Sequence, residues 1–238
     1  MKKINFVAIA ILLTCLSLST MFSSCLKLQK DYNRKTNVDT LDGHLYKTAW
    51  AYLKARAYGS GTDTIFRRMY DGIIYSGIDT NEYIKPNRTF IFLSNSEITT
   101  AKTGLWAIVH NGSAAGKSWA SYSAANVKNY LSYLIAEGYY SHYNLKLADV
   151  TFTTLAPAGA YTTNPPGFTF TSPATYVSNP NSIMIAHVSN ANTVTSQLDY
   201  PIVLNSAVNI TTSDLEATNG IVQVINSGTI VLTPTIPQ

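Results

Sequence analysis

Thiols, imidazoles, carboxylates and phenols are the side chains here that could carry chemistry. There are two cysteines. Cys25 follows the small residues Ser23 and Ser24. Ahead of them lie the basic pair Lys2 and Lys3 and an apolar run over residues 6–18. That run, at about 13 residues, has the length of a signal-peptide core and is short of the roughly 20 a spanning helix needs. Small residues ending in a cysteine suit cleavage before the thiol, which then receives a diacylglyceryl group. Residues 1–24 therefore read as a lipoprotein signal peptide, with Cys25 as the lipid attachment site. Cys15 leaves with the signal, so neither a disulfide nor a cysteine-based metal site is expected.

The imidazoles are His44, His110, His142 and His187, and no two lie at metal-ligand spacing. His187 falls in a strand-like run and reads as a core or face residue. Glu97, Glu137, Asp149 and Asp214 show no pairing pattern of the kind that acid–base hydrolysis needs. Asp214 reads as the cap of a turn at 215–217. The pattern Gly-x-Ser-x-Gly is absent. Residues 112–118 (GSAAGKS) are one residue short of a phosphate-binding loop, lack a buried strand before them, and read as a flexible loop. No catalytic residue, metal or cofactor is assigned. The phenols offer more. Tyr139, Tyr140, Tyr143 and Tyr161 could present flat faces that stack on sugar rings or anchor a protein partner. The competing expectation is that most are packed, since the chain has 16 tyrosines to place.

Composition bounds these readings. About 210 residues remain after the signal, enough for one large domain or two small ones. Charged residues make up 13%, well below the roughly one quarter of an ordinary globular chain. The net charge is +4; without Lys2 and Lys3 it is +2. With no dense Lys/Arg run either, nucleic-acid binding is not expected.

The elements that must position these groups follow from periodicity. Residues 25–39 are polar, mixed in charge, and read as a lipidated tether. Leu41, Leu45, Ala49, Tyr52 and Leu53 recur at helical spacing, predicting a helix over 44–58. A second helix is predicted over 64–76. Asp63 would be its cap, Ile65, Phe66, Met69, Ile73 and Ile74 its apolar face, and Gly77 its stop. Residues 89–93 read as a strand. Ser123 can cap a third helix, with Val127, Tyr130, Leu131, Leu134 and Ile135 on one face and Gly138 at its end. From Leu147 the chain becomes strand-like, with runs at 150–155, 168–171, 183–188, 200–204, 221–225 and 229–232. The Pro-rich stretch 156–181 reads as a long loop. Helices first and strands later predict an α+β fold.

The segment 213–225, SDLEATNGIVQVI, followed by NSGTIVLTP, resembles the C-terminal motif of fasciclin-type (fasciclin I) domains. Asn219-Gly220 suits a tight turn with positive φ. Ile221, Val222, Val224 and Ile225 suit a strand buried on both faces, and Pro234 its end. Residues 89–98, TFIFLSNSEI, resemble the family's first motif through Thr89, Ser94 and Asn95, with Leu93 at the usual proline. Tyr133 falls at the family's Tyr-His pair, within YLIAEGYYS. Leu134 stands at that pair's histidine, Gln223 at the last motif's usual histidine and Asn226 at its aspartate, and Ser227-Gly228 are inserted. The resemblance implies a single fasciclin-type domain over residues 40–238 with insertions, its N-terminal helices packed on a twisted β-sheet wedge. Asp214, Asn219 and Gly220 would be structural motif residues. It also implies a non-catalytic module for adhesion or protein/polysaccharide interaction. Cys25 would hold that module to membrane lipid at the cell envelope, at the outer membrane. A carbohydrate-binding lipoprotein of a glycan-uptake system is the alternative, and an enzyme a further one.

Replacing Cys25 with Ala is expected to move the protein from membrane to soluble fractions, read by fractionation and immunoblot. Unchanged partitioning would count against lipidation.

Overall fold

In the computed structural model, the residues described are 42–59, 63–100, 118–157, 183–189, 200–205 and 208–226. The signal, Cys25, the tether, Tyr161, the loop at 112–117 and the expected strands at 168–171 and 229–232 lie outside them.

Helix α1, Ala49–Tyr58, starts at Thr48, whose hydroxyl accepts from the Ala51 N–H at 3.2 Å. Ala49, Leu53 and Ala57 recur every four residues and are its buried face. The expected start at 44 is corrected. Residues 43–47 are drawn to a sheet edge instead, where Leu45 N–H donates to Glu216 O and Glu216 N–H to Gly43 O, both at 2.8 Å. Helix α2, Arg67–Ser76, buries Met69 and Ile73, but Ile74 faces solvent. Asp63 is not its cap; it pairs with Arg56 at 2.5 Å. Gly77 ends α2 as expected, in the left-handed region at φ 64°, which costs glycine little.

A 3₁₀ turn, Thr80–Tyr83, leads into strand β1, Arg88–Leu93. The short helix α3, Asn95–Thr99, is capped by Ser94. A second 3₁₀ turn, Trp119–Ser121, precedes α4, Ala124–Tyr133, which Ser123 caps through the Asn126 N–H. Here too the expected end is corrected. The helix stops before Gly138, and Ile135 begins strand β2, Ile135–Glu137, which pairs with β1. Strands β3 (Val150–Thr153), β4 (Ile183–Val188), β5 (Ile202–Leu204), β6 (Val208–Asn209), β7 (Thr212–Ala217) and β8 (Gly220–Ile225) complete the described elements. Asp214 is therefore a strand residue of β7, not the cap of a turn.

The described strands make two four-stranded sheets, ordered β2-β1-β8-β7 and β3-β4-β5-β6. The fold is α+β, as the sequence predicts. In the first sheet β8 lies between β7, antiparallel, and β1, parallel, with Arg88 opposite Gly220 and Leu93 opposite Ile225. Every residue of β8 is buried, as befits a strand covered on both faces. An isolated bridge, Ala136 to Thr154, joins β2 to the chain just after β3. Phe66, Phe90, Phe92, Tyr83, Tyr130 and Tyr133 are among the largest fully buried side chains. With Tyr122, also buried, four tyrosines among the described residues belong to the core.

A turn does separate β7 from β8, but neither Asn219 nor Gly220 has positive φ. Gly220 is required for a different reason. A Cβ there would sit 2.1 Å from the Arg88 carbonyl oxygen and 2.9 Å from the Phe90 ring, so β1 and β8 can approach only over a hydrogen. At Gly77 nothing lies within 4 Å of a Cβ. Gly220→Ala should therefore destabilise by about 3 kcal/mol, as overpacking does. Gly77→Ala should cost about 1 kcal/mol, for backbone strain alone. Urea denaturation of both variants would measure the difference, and equal losses would refute the steric account.

Candidate functional site

The tyrosine-bearing loop at 138–149 leaves β2 through Gly138, at φ 108°. Thr89 on β1 fastens its start. Its hydroxyl donates to Gly138 O at 2.8 Å and accepts from the Tyr140 N–H at 2.9 Å. Asn144 ties the loop across itself, its Oδ1 accepting from the Ser141 N–H at 2.7 Å and its amide donating to Tyr139 O.

The expected tyrosine surface is only partly assembled. Tyr143 is 78% exposed and Tyr139 43% exposed, with Leu147 also open to solvent at 53%. Tyr140 turns inward and stacks on Phe152, ring centroids 4.2 Å apart. Tyr140 is half-buried, one face of its ring taken up by Phe152. Tyr161 lies outside the described residues. Tyr133, at the end of α4, is fully buried, and its hydroxyl accepts from Asn205 Nδ2 at 2.9 Å.

Beneath this loop lies a node with no signature in the sequence. Asp214 sits at a shift in the β7–β8 register, at φ 58°. Such a bulge re-aims a side chain, and aspartate tolerates the left-handed region better than most residues. The carboxylate meets His142, 72 residues away, with Nδ1 at 2.7 Å from Oδ2 and the His142 backbone N–H at 3.2 Å. His142 Nε2 lies 2.7 Å from Tyr200 O. Gln223 closes the node. Its Oε1 accepts from the Asp214 N–H at 3.0 Å, and its Nε2 donates to Asp214 Oδ1 at 3.0 Å and to Tyr140 O at 2.9 Å.

The protonation state follows from these partners. A carbonyl oxygen only accepts, so Nε2 carries a hydrogen. An ionised carboxylate only accepts, so Nδ1 carries one too. These two contacts favour the protonated, charged form of His142. Its hydrogen bond to Asp214 raises its pKa above the ordinary value; burial opposes this, and the Tyr200 carbonyl and the Asp214 charge reinforce it. For Asp214, burial would raise the pKa, but hydrogen bonds from His142 and Gln223, with the His142 charge, hold it below the usual carboxylate value. With Nδ1 against the Asp214 carboxylate and Nε2 against the Tyr200 carbonyl, His142 ties the loop to β7 and to the chain at Tyr200.

Two other histidine–carboxylate pairs were equally unreadable from spacing. His187 Nδ1 lies 2.8 Å from Asp149, and His44 Nε2 lies 2.7 Å from Glu216; an exposed partner in each leaves them largely solvated. Among the described residues no group of three His, Cys, Asp or Glu side chains is placed to hold a metal. None of the described helices is long and apolar enough to cross a membrane.

The other motif residues are structural. Asn219 Oδ1 accepts from the Ala49 N–H at 2.8 Å, and its amide donates to Tyr83 O and Lys85 O, both at 3.1 Å. Asn95 bridges the Arg68 N–H and Thr64 O. Asn226 Oδ1 accepts from both Ser94 and Ser96 at 2.6 Å.

No protein-family model matches the chain, and no curated protein sequence does. Among solved structures, the chain is similar to a FAS1 domain pair from the insect cell adhesion molecule fasciclin I, with a TM-score of 0.46 at 16% identity. The similarity covers 76% of this chain and 49% of that one, so the chain spans about half the length of the structure it matches.

The His142–Asp214 pair gives stability a signed pH dependence. The His142 contribution is complete below its ordinary pKa of 6.5 and is lost as pH rises through the raised value. The Asp214 contribution is complete above its ordinary 3.8 and is lost as pH falls through the lowered value. Both are complete between those two pH values, and urea stability should fall on either side. Asp214→Asn should flatten both arms and cost on the order of 2 kcal/mol in that window. Urea titrations across pH would check this, and an unchanged profile would refute it.

Proposed function

We propose that this chain is a non-catalytic, fasciclin-type surface module. Lipid on Cys25 would hold it to a membrane of the cell envelope, the outer membrane, and its task would be adhesion or interaction with a protein or polysaccharide. The observation that carries the reading is the combination at the 138–149 loop. A spent histidine–carboxylate tie lies below, and Tyr139, Tyr143 and Leu147 stand exposed above. The pair that would have favoured catalysis has its nitrogens and carboxylate oxygens engaged in holding the loop. The exposed aromatic faces are of the kind that supply binding energy with little conformational cost.

The sequence motifs support the same assignment. Asp214, Asn219 and Gly220, the residues carrying the fasciclin resemblance, each hold a long-range contact within the domain. A carbohydrate-binding role in glycan uptake is the second reading, favoured by Tyr143, whose ring is largely open to solvent.

The test is a pull-down of the chain against envelope proteins alongside a glycan array. The Tyr139→Ala/Tyr143→Ala double variant should lose about tenfold or more in affinity for whichever ligand is captured, the scale of an aromatic anchor. Its urea stability should change by under about 0.5 kcal/mol, as surface substitutions do. Undiminished capture by the double variant would move the binding surface elsewhere.

A further inference from the structure

His142 joins the 138–149 loop to both sheets. Its Nδ1 lies 2.7 Å from Asp214 Oδ2 on β7, in the first sheet. Its Nε2 lies 2.7 Å from Tyr200 O, on the chain entering β5 in the second. The side chain is only 4% exposed. Asp214 is the one charged side chain within hydrogen-bond reach of the ring among the described residues, and Gln223, behind it on β8, is neutral. Thr89, Asn144 and Gln223 also tie the loop, and none of them titrates. At the far end, Asp149 meets His187 Nδ1 on β4 at 2.8 Å, with its carboxylate open to solvent.

The two contacts of His142 respond differently to loss of one proton. A carbonyl and an ionised carboxylate only accept, so each contact needs a hydrogen from the ring. A neutral imidazole has one N–H and one lone pair, and its partners decide which nitrogen keeps the hydrogen. If Nε2 kept it, a lone pair on Nδ1 would face an anionic carboxylate. If Nδ1 keeps it, a lone pair on Nε2 faces an uncharged carbonyl. The charge-assisted bond is the stronger, so Nδ1 keeps its hydrogen. Two acceptors are then left 2.7 Å apart at Tyr200 and must separate or admit a water.

We propose that His142 is a one-sided pH latch: protonated, it clasps the loop to β7 and to the chain entering β5 together, and deprotonated, it keeps β7 and releases Tyr200. The clasp is complete below the ordinary histidine value of 6.5 and opens as pH rises through the raised value that the Asp214 hydrogen bond gives His142. Tyr143 is the next residue, so the setting of an exposed ring follows the latch. The inference rests on hydrogen-bond geometry and stands whether or not Tyr139 and Tyr143 bind a ligand.

Nuclear magnetic resonance of the isotope-labelled full chain in detergent, between about pH 5 and 9, tests it. The ring-nitrogen shifts of His142 should show both nitrogens protonated at low pH and hydrogen on Nδ1 alone at high pH. Hydrogen exchange reads the release. The Ser189 amide donates to Pro201 O at 2.8 Å, beside Tyr200. Corrected for the intrinsic effect of pH, its protection should fall about tenfold across the titration, the loss of a charged hydrogen bond. The Tyr140 amide, held by Thr89 on β1, should lose several-fold less. In His142→Gln the step at Ser189 should vanish. If that variant fails to fold by circular dichroism, the shifts and exchange of the unaltered chain decide. A ring that does not titrate in this range, hydrogen on Nε2 in the neutral form, equal losses at Ser189 and Tyr140, or a step that persists in His142→Gln would each overturn the proposal.

Discussion

Asn219 is the residue on which three segments converge. One buried amide takes a hydrogen from the first residue of α1 and gives hydrogens to the carbonyls of Tyr83 and Lys85. The Ala49 N–H is one of the orphan donors every helix start must satisfy. Thr48 covers another, and Asn219 reaches this one from 170 residues away in sequence. Without Asn219, a helix terminus and two loop carbonyls would be stranded under the sheet, each at about 1–3 kcal/mol. With it, α1 and the 3₁₀ turn are held against the turn that leads into the central strand.

The neighbouring node works by the same economy of partners. Gln223 stands on β8, beside the bulge at Asp214. Its amide both accepts from and donates to Asp214 while also holding Tyr140 O. Only a side chain with an acceptor and two donors at one end can do this. The bulge at Asp214 and the identity of Gln223 therefore belong together. One turns the carboxylate inward, and the other fixes it for His142. The 138–149 loop is consequently fastened at its base by Thr89, Gln223 and Asp214, while Tyr139 and Tyr143 stay outside.

How much of this was readable in the sequence depended on the kind of signal. Apolar runs gave β1, β4 and β8 with nearly correct bounds: β1 and β8 are buried almost throughout, and β4 alternates buried with half-buried residues. Ser123 and Gly77 marked helix ends through local chemistry. The failures came where a distant partner outbid a local pattern. Leu45 has helical spacing but is drawn into backbone pairing with Glu216. Ile135 has helical spacing but pairs with Phe90. Strand β7 reads TSDLEA, only half-buried and polar, so nothing in its pattern announced a strand. The His142–Asp214 tie joins residues 72 apart that no motif links. Asn219-Gly220 was read as a φ-driven turn. The structure uses the asparagine for its amide and the glycine for the space it leaves.

The parallel pairing of β1 with β8 also sets an order of events during synthesis. Arg88 and Gly220 are 132 positions apart, so β1 leaves the ribosome well before its central neighbour exists. With β2 as its only available partner, β1 has an open edge rich in Phe, Ile and Leu until Gly220–Ile225 arrives. Such long-range closure is slow, and the wait is aggregation-prone. A nascent chain of this design gains from a handler that keeps it extended until translation is done.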